Sequence, residues 1–114
     1  ARPSEIVLGD RYGAACCPEF TDLVEGFFKA RGYSTARNAP YAGGFATSAH
    51  GLPSQGRYAM QIEIRRDLYL NEADVEPAEG FGRMRRDLAD LAWEICRYGR
   101  WRAGLSEIAR ASGG

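Results

Sequence analysis

The stretch from Tyr58 to Arg66 alternates between apolar and polar side chains more regularly than any other part of this chain. One side carries Tyr58, Met60, Ile62 and Ile64, and the other carries Ala59, Gln61, Glu63 and Arg65. A period of two residues is that of a β-strand with one face in a hydrophobic core. The stretch therefore predicts a strand, with the carboxylate of Glu63 in its middle on the polar face.

Apolar runs elsewhere predict one further strand and two helices. Residues 5–8 form a short apolar run closed by Gly9-Asp10, which is typical of a buried strand that ends at a turn. Pro18 is suited to the first position of a helix, and the apolar spacing after it extends that helix to about Ala30. Helical spacing also covers Phe81 to Tyr98, and residues 105–109 extend or repeat it.

The segment from Tyr33 to Gln55 is rich in Gly, Pro, Ser, Ala and Asn, and it carries His50, the single His of the chain. We expect a shaped loop, with a short strand at Tyr33 to Ala36. Loops of this length are uncommon in small domains and are often functional. His50 is therefore a candidate site residue.

Strands and helices that alternate along the chain predict an α/β fold with some parallel strands. Two or three strands make a thin sheet, and a central parallel strand has to be covered on both faces. We expect part of a mixed or mostly parallel sheet with flanking helices, either within a larger sheet or completed by association. Residues 1–111 are predicted to form one α/β domain or part of a larger one, and residues 112–114 a flexible tail.

Charge and cysteine content exclude several classes of partner. Fifteen Lys and Arg residues balance fifteen Asp and Glu residues, so no net charge attracts nucleic acid or a membrane surface. No apolar run approaches the length of about 20 residues that a membrane span needs. The chain has three cysteines, an odd number that does not favour a disulfide framework. We interpret Cys16, Cys17 and Cys96 as packing residues. We expect a cytoplasmic protein without nucleic-acid or membrane partners.

Four segments of the chain carry a resemblance to a known family. They are Leu8-Gly9-Asp10-Arg11-Tyr12-Gly13, Asn38-Ala39-Pro40-Tyr41-Ala42-Gly43-Gly44, His50-Gly51-Leu52-Pro53, and a strand with Gln61-x-Glu63-x-x-Arg66 followed by Leu68-Tyr69. In this order and spacing they resemble the C-terminal portion of the N-formylglutamate amidohydrolases, a family related to the zinc carboxypeptidases. The family's N-terminal Pro-His-Ser-Gly motif, associated with metal ligands, is absent. This predicts the C-terminal part of a larger domain, with a missing N-terminal segment, or a homo-oligomer.

The resemblance implies a phosphorylase/hydrolase-like (zinc exopeptidase-like) fold and a metal-dependent amidohydrolase. Its substrate would be a small N-acyl amino acid, from which it cleaves the N-formyl or N-acyl group of glutamate or a similar residue. Glu63 would take the proton of the attacking water, and His50 would be a ligand of zinc or another divalent metal or would stabilise the oxyanion. Arg66, Asn38 and Gln61 would bind the substrate.

Structural roles remain open for each of these residues. Glu63 would form an ion pair with Arg65 or Arg66 if it were not catalytic, and a lone His is more often a capped or surface residue. Asp10 is either a carboxylate that orients a ligand or a turn residue, since Gly-Asp is common at turns. At the level of function, the alternative is an α/β binding or assembly module without catalysis, or an inactive fragment of the hydrolase.

Overall fold

A computed structural model describes the backbone of residues 3–113 and the side chains of residues 3–104. Its strands are β1 (Ile6–Gly9), β2 (Thr35–Arg37), β3 (Gln61–Ile64), β4 (Leu70–Asn71) and β5 (Glu76–Pro77). Its α-helices are α1 (Pro18–Ala30), α2 (Phe45–His50) and α3 (Phe81–Gly113). Short 3-10 turns lie at Pro53–Gln55 and Arg66–Leu68.

Strands β2, β1 and β3 form one sheet in that order. β1 runs parallel to β2, with Ile6 opposite Thr35, and antiparallel to β3, with Val7 opposite Glu63. The sheet is therefore mixed, which confirms the predicted α/β class. Because of these directions, the ends of β1 and β2 and the beginning of β3 meet at one edge of the sheet.

The core lies between this sheet and the helices. Ile6 and Leu8 of β1 and Val24 and Phe28 of α1 are fully buried, and α3 contributes Met84 and Leu91. The apolar face of the predicted strand packs against this core through Tyr58, Met60, Ile62 and Ile64. Full burial of an aliphatic or aromatic side chain contributes about 1.5–3 kcal/mol, and each of these four partly buried side chains contributes a share of that, so together they set the orientation of β3. Its polar face, with Gln61 and Glu63, is turned away from the core.

Helix α1 begins at Pro18 and ends at Ala30, as the sequence predicts. The β3 strand is shorter than its alternating pattern. Before it, Ala59 leaves the sheet and donates its N–H to the carbonyl of Ala15 at 3.0 Å. After it, the chain turns into the 3-10 segment at Arg66–Leu68. The alternating sequence pattern is therefore longer than the strand itself, because only Gln61–Ile64 pair with a neighbouring strand.

Helix α3 is continuous over 33 residues, a length of about 50 Å. It passes through Gly99 and Gly104, so the two predicted helical stretches form one helix. Ser112 and Gly113, assigned to a flexible tail from the sequence, belong to its last turn, and Gly114 lies outside the described residues.

Cys96 is exposed on this helix, so its predicted packing role is wrong, whereas Cys16 is buried. No helix in the described part of the chain is long and apolar enough to cross a membrane.

Candidate active site

Asn38 joins the loop after β1 to the loop after β2. Its side-chain Oδ1 accepts the backbone N–H groups of Asp10 at 3.0 Å and of Tyr12 at 3.3 Å. Its own backbone N–H donates to the carbonyl of Leu8 at 2.8 Å. Asn38 has a φ of 59°, a left-handed conformation that Asn tolerates better than most residues. The side-chain amide that was predicted to bind substrate thus holds the two loops together.

Asp10 is buried beside Asn38, with 5% of its surface exposed. Its Oδ1 accepts Asn38 Nδ2 at 2.8 Å and the N–H of Gly13 at 3.1 Å, while its Oδ2 accepts Thr21 Oγ1 at 2.8 Å. Burial by itself raises the pKa of Asp10, but the hydrogen bonds from Asn38, Thr21 and Gly13 outweigh it and lower that pKa below its ordinary value. The carboxylate is therefore ionised, and its oxygens are occupied by the protein.

The loop after β2 lies directly against the end of β1. A Cβ atom on Gly9 would stand 2.8 Å from the backbone carbon of Ala42 and the nitrogen of Gly43. Arg11 adds a hydrogen bond from its N–H to the carbonyl of Ala42 at 2.8 Å. Only glycine at position 9 permits this contact, so the loop from Asn38 to Gly44 has a defined position at the sheet edge.

Gln61 connects that loop to Glu63. Its side-chain Oε1 accepts the N–H of Gly44 at 2.9 Å, and its Nε2 donates to Glu63 Oε1 at 3.1 Å. Glu63 makes no ion pair with the described residues. Arg65 instead contacts Asp67 at 2.7 Å and Glu5 at 3.9 Å, so the structural role proposed for the Glu63 carboxylate is not supplied by Arg65.

A cavity of about 370 Å³ opens beside Glu63, and the residues that line it with Glu63 are Pro3, Ser4, Val7, Pro40, Ile64 and Arg65. One oxygen of the Glu63 carboxylate is held by Gln61. The other, Oε2, makes no hydrogen bond to the part of the chain whose side chains are described. A carboxylate with one oxygen held and one oxygen free can accept a proton from a water molecule in the cavity.

His50 is the last residue of α2 and is exposed. The helix begins next to Gly44, which contacts Gln61, so a rise of 1.5 Å per residue places His50 about 9 Å further along the axis. Helix α2 was missed in the sequence because it has six residues, too few for a visible period, and glycines on both sides. Glu63 is thus connected to the start of α2 by hydrogen bonds through Gln61, and His50 lies at the other end of that helix. The side chains of Glu63 and His50 make no direct contact.

Arg66 lies at the other end of β3 from Gln61. It is exposed and begins the 3-10 turn, and its neighbour Arg65 donates a backbone hydrogen bond to Glu5, just before β1, at 2.8 Å. The strand from Gln61 to Ile64 alone spans about 10 Å. The structure therefore brings Gln61, Glu63 and the Asn38 loop together and leaves Arg66 at the opposite edge of the sheet.

A catalytic zinc takes three protein ligands and keeps a fourth position for water or substrate. Within the described residues, no three His, Cys, Asp or Glu side chains converge in a way that could hold a metal ion. His50 is the single His of the chain. The residues described here do not form a zinc site by themselves.

Thr21 belongs to this arrangement and was not singled out in the sequence, whereas Gly44 was noted only as part of the Asn38 to Gly44 motif. Thr21, on α1, donates to Asp10, and Gly44 donates its backbone N–H to Gln61. A Thr in the first turn of a helix and a Gly in a Gly-rich loop are common, so neither residue carries a signal by itself. The available signal was the pair of turn motifs at Gly9-Asp10 and at Asn38.

Gly51 follows His50 and is packed too closely for a side chain. A Cβ atom there would stand 2.7 Å from Cα and Cβ of Ala15 and from the carbonyl oxygen of Thr47. We expect Gly51→Ala to lower the free energy of unfolding by about 1–3 kcal/mol, because the backbone of α2 has to move. Urea unfolding at pH 7 measures it.

Gly26 is the matched control for this prediction. It lies inside α1, and a Cβ atom there meets nothing within 4 Å. Gly26→Ala should raise the free energy of unfolding by about 0.5–1 kcal/mol, since Ala loses less backbone entropy in a helix. Equal effects of the two changes would show that the packing around Gly51 is loose.

Comparison with known proteins identifies the family of this chain. The family model of N-formylglutamate amidohydrolase matches residues 1–70. A crystal structure of N-formylglutamate amidohydrolase from Ralstonia eutropha JMP134 superposes with a TM-score of 0.83 and 43% sequence identity, over 88% of this chain and 36% of that chain. The match over most of the described fold agrees with the α/β architecture and with the predicted resemblance.

Two curated relatives carry the name N-formylglutamate deformylase. The protein of Pseudomonas aeruginosa is 34% identical over 107 residues, which cover 85% of this chain and 40% of the relative. The protein of Pseudomonas putida is 32% identical over 107 residues, covering 82% of this chain and 38% of the relative. The chain thus spans about 40% of the length of the curated relatives it matches. It belongs to the N-formylglutamate amidohydrolase family.

Proposed function

We propose that the protein to which this chain belongs hydrolyses the amide bond of N-formylglutamate or of a similar N-acyl amino acid. Membership of the family and the names of the two deformylases support this reaction class. The observation that carries it is the Glu63 carboxylate, which is held at Oε1 by Gln61 and borders an open cavity with Oε2 free of hydrogen bonds to the described side chains.

In this proposal Glu63 acts as the general base. It removes a proton from water while the water oxygen bonds to the formyl carbon and forms a tetrahedral intermediate. The carbon–nitrogen bond then breaks, and Glu63 returns the proton to the leaving amine, so that formate and glutamate are released. One carboxylate can serve both steps because the proton moves from one side of the same intermediate to the other.

Zinc or another divalent metal is part of the proposal as a separate element. His50 would be the ligand from this chain, or would instead stabilise the developing oxyanion, and the remaining ligands would come from outside the described residues. A metal of this kind polarises a carbonyl group and lowers the pKa of bound water to about 7. The two proton transfers proposed for Glu63 do not depend on the geometry of this metal site.

Substrate recognition is proposed to involve the glutamate carboxylates and an Arg. Arg66 is exposed and offers a planar guanidinium suited to bidentate contact with a carboxylate. Arg66 and Asn38 lie at opposite edges of the sheet, so the two residues would contact different parts of the substrate. Otherwise Arg66 has a role other than substrate binding. Asn38 would act mainly through the loop it holds.

The cellular location is proposed to be the cytoplasm. The free thiols of Cys16, Cys17 and Cys96 are in keeping with a reducing compartment of this kind.

Release of formate from N-formyl-L-glutamate tests the proposal. We expect turnover by the longest polypeptide that the gene encodes, with N-formyl-L-glutamate preferred over N-formyl-L-leucine because of the second carboxylate. Dialysis against a chelator should abolish turnover, and zinc should restore it if the metal is required. A folded preparation without formate release from either substrate, with zinc present, would favour a binding or assembly module instead.

A further inference from the structure

The side-chain amide of Gln61 has a defined orientation. The N–H of Gly44 can only donate, so the atom of Gln61 that faces it at 2.9 Å must be the oxygen Oε1. The other end of the amide is then the nitrogen Nε2, which faces Glu63 Oε1 at 3.1 Å. A backbone donor thus decides which end of Gln61 points toward the carboxylate.

We propose that Gln61 is a positioning residue for Glu63 and does not bind the substrate directly, as the sequence analysis expected. This inference rests on the proposed function, in which Glu63 is the base. Gln61 holds one carboxylate oxygen and leaves the other without a hydrogen bond to the described side chains, in a residue that lines the cavity.

The donor that orients Gln61 is itself held in place. The carbonyl of Gly44 accepts Thr47 Oγ1 at 2.7 Å, and Thr47 is buried, with 4% of its surface exposed. The segment before Gly44 lies against Gly9 at the end of β1, where no side chain would fit. The N–H of Gly44 is therefore part of a packed segment. Its hydrogen bond fixes the side chain of Gln61, and the hydrogen bond from Gln61 in turn positions the carboxylate of Glu63.

Gln61→Met tests the inference, because Met keeps the length of the side chain and removes both hydrogen bonds. We expect kcat for formate release from N-formyl-L-glutamate to fall about 10- to 100-fold with KM within about twofold, the usual range for residues that orient a catalytic group.

Gln61→Glu provides a second variant of nearly the same shape. An ionised Glu can still accept the N–H of Gly44 but cannot donate to Glu63, so kcat should fall as it does in Gln61→Met. Gln55→Met is the matched control. Gln55 is exposed in the 3-10 turn at Pro53–Gln55, and its replacement should change neither kcat nor KM. Thermal unfolding of all three variants identifies any that fail to fold.

Each outcome separates this inference from the proposed function. If Gln61→Met keeps the wild-type kcat while KM rises about 10-fold or more, Gln61 binds the substrate directly and the positioning role is overturned. Unchanged kcat and KM in a folded Gln61→Met would overturn it as well. If Glu63→Gln keeps normal kcat, Glu63 is not the base, and the mechanism on which this inference rests fails while the hydrolysis itself stands. If Glu63→Gln is inactive while Gln61 variants are normal, only the positioning role fails.

Discussion

Glu63→Gln is expected to lower kcat for N-formylglutamate about 10²- to 10⁴-fold, the range for loss of a general base. Gln has the size of Glu and can still accept the hydrogen bond from Gln61 through its amide oxygen, but it cannot take a proton from water. Glu63 makes no ion pair with the described residues, so the melting temperature should change by less than about 2 °C. Steady-state kinetics and thermal unfolding on one preparation measure both.

Glu94→Gln is the control for removal of one carboxylate. Glu94 lies on α3 and pairs with Arg97 three residues later at 3.2 Å, a solvent-exposed contact that contributes little to stability. The control should keep wild-type kcat and nearly wild-type melting temperature. Near-normal kcat together with a clearly lower melting temperature in Glu63→Gln would make Glu63 a structural residue and would remove the proposed mechanism.

Asp10→Ala is expected to lower the free energy of unfolding by about 3 kcal/mol, because it removes the acceptor of three hydrogen bonds at a buried position. The donors from Asn38, Gly13 and Thr21 would lose their partner, and the loop after β1 would lose its attachment to α1 and to the loop after β2. A loss of this size corresponds to a fall of more than about 10 °C in the melting temperature. Urea and thermal unfolding measure it.

The pH dependence of the wild-type protein provides an independent check on Asp10. Because its pKa is lowered in the folded state, its contribution to stability is present above the ordinary value of 3.8 and is lost as the pH falls through the lower folded-state pKa. Asp10→Asn lacks this contribution at neutral pH. Its stability should therefore decline less steeply than that of the wild type below about pH 4.

Asp22→Asn is the control for both measurements. Asp22 is exposed on α1 and contacts Arg37 at 2.7 Å, and exposed pairs contribute about 0–1 kcal/mol. It should keep the wild-type slope in acid and most of the stability. An Asp10 variant that loses no more stability than Asp22→Asn would show that the buried hydrogen bonds of Asp10 do not hold the loops.

Local patterns were sufficient for the elements that have a complete period. Pro18 and the apolar spacing behind it predicted α1 with both ends, because first-turn Pro and a buried face are properties of the helix itself. Alternation around Ile62 and Ile64 predicted the face of β3 that packs on the core. The α/β class followed from the order of these elements. Helix α2 has too few residues for a period, so His50 was expected in a loop.

The candidate residues of the site could be named from the sequence, since motif order and spacing are visible along the chain. How they meet could not be predicted. Asn38 and Gln61 were both expected to bind substrate, yet their side-chain amides contact the Asp10 loop and the Gly44–Glu63 pair. Apart from the Gln61–Glu63 contact within one strand, these hydrogen bonds join residues 17 to 28 positions apart, and partners at that separation depend on strand register and loop packing.

The sequence by itself determined the face that each residue of β3 presents, because side-chain alternation is a local property of an extended backbone. It also determined that Glu63 lies on the polar face. Only the tertiary structure decided which groups surround that carboxylate. The approach of Ala42 to Gly9 brings the N–H of Gly44 to Gln61, and this backbone donor orients the amide that contacts Glu63. Directional hydrogen bonds require both partners in place, and packing of separate segments supplies that condition.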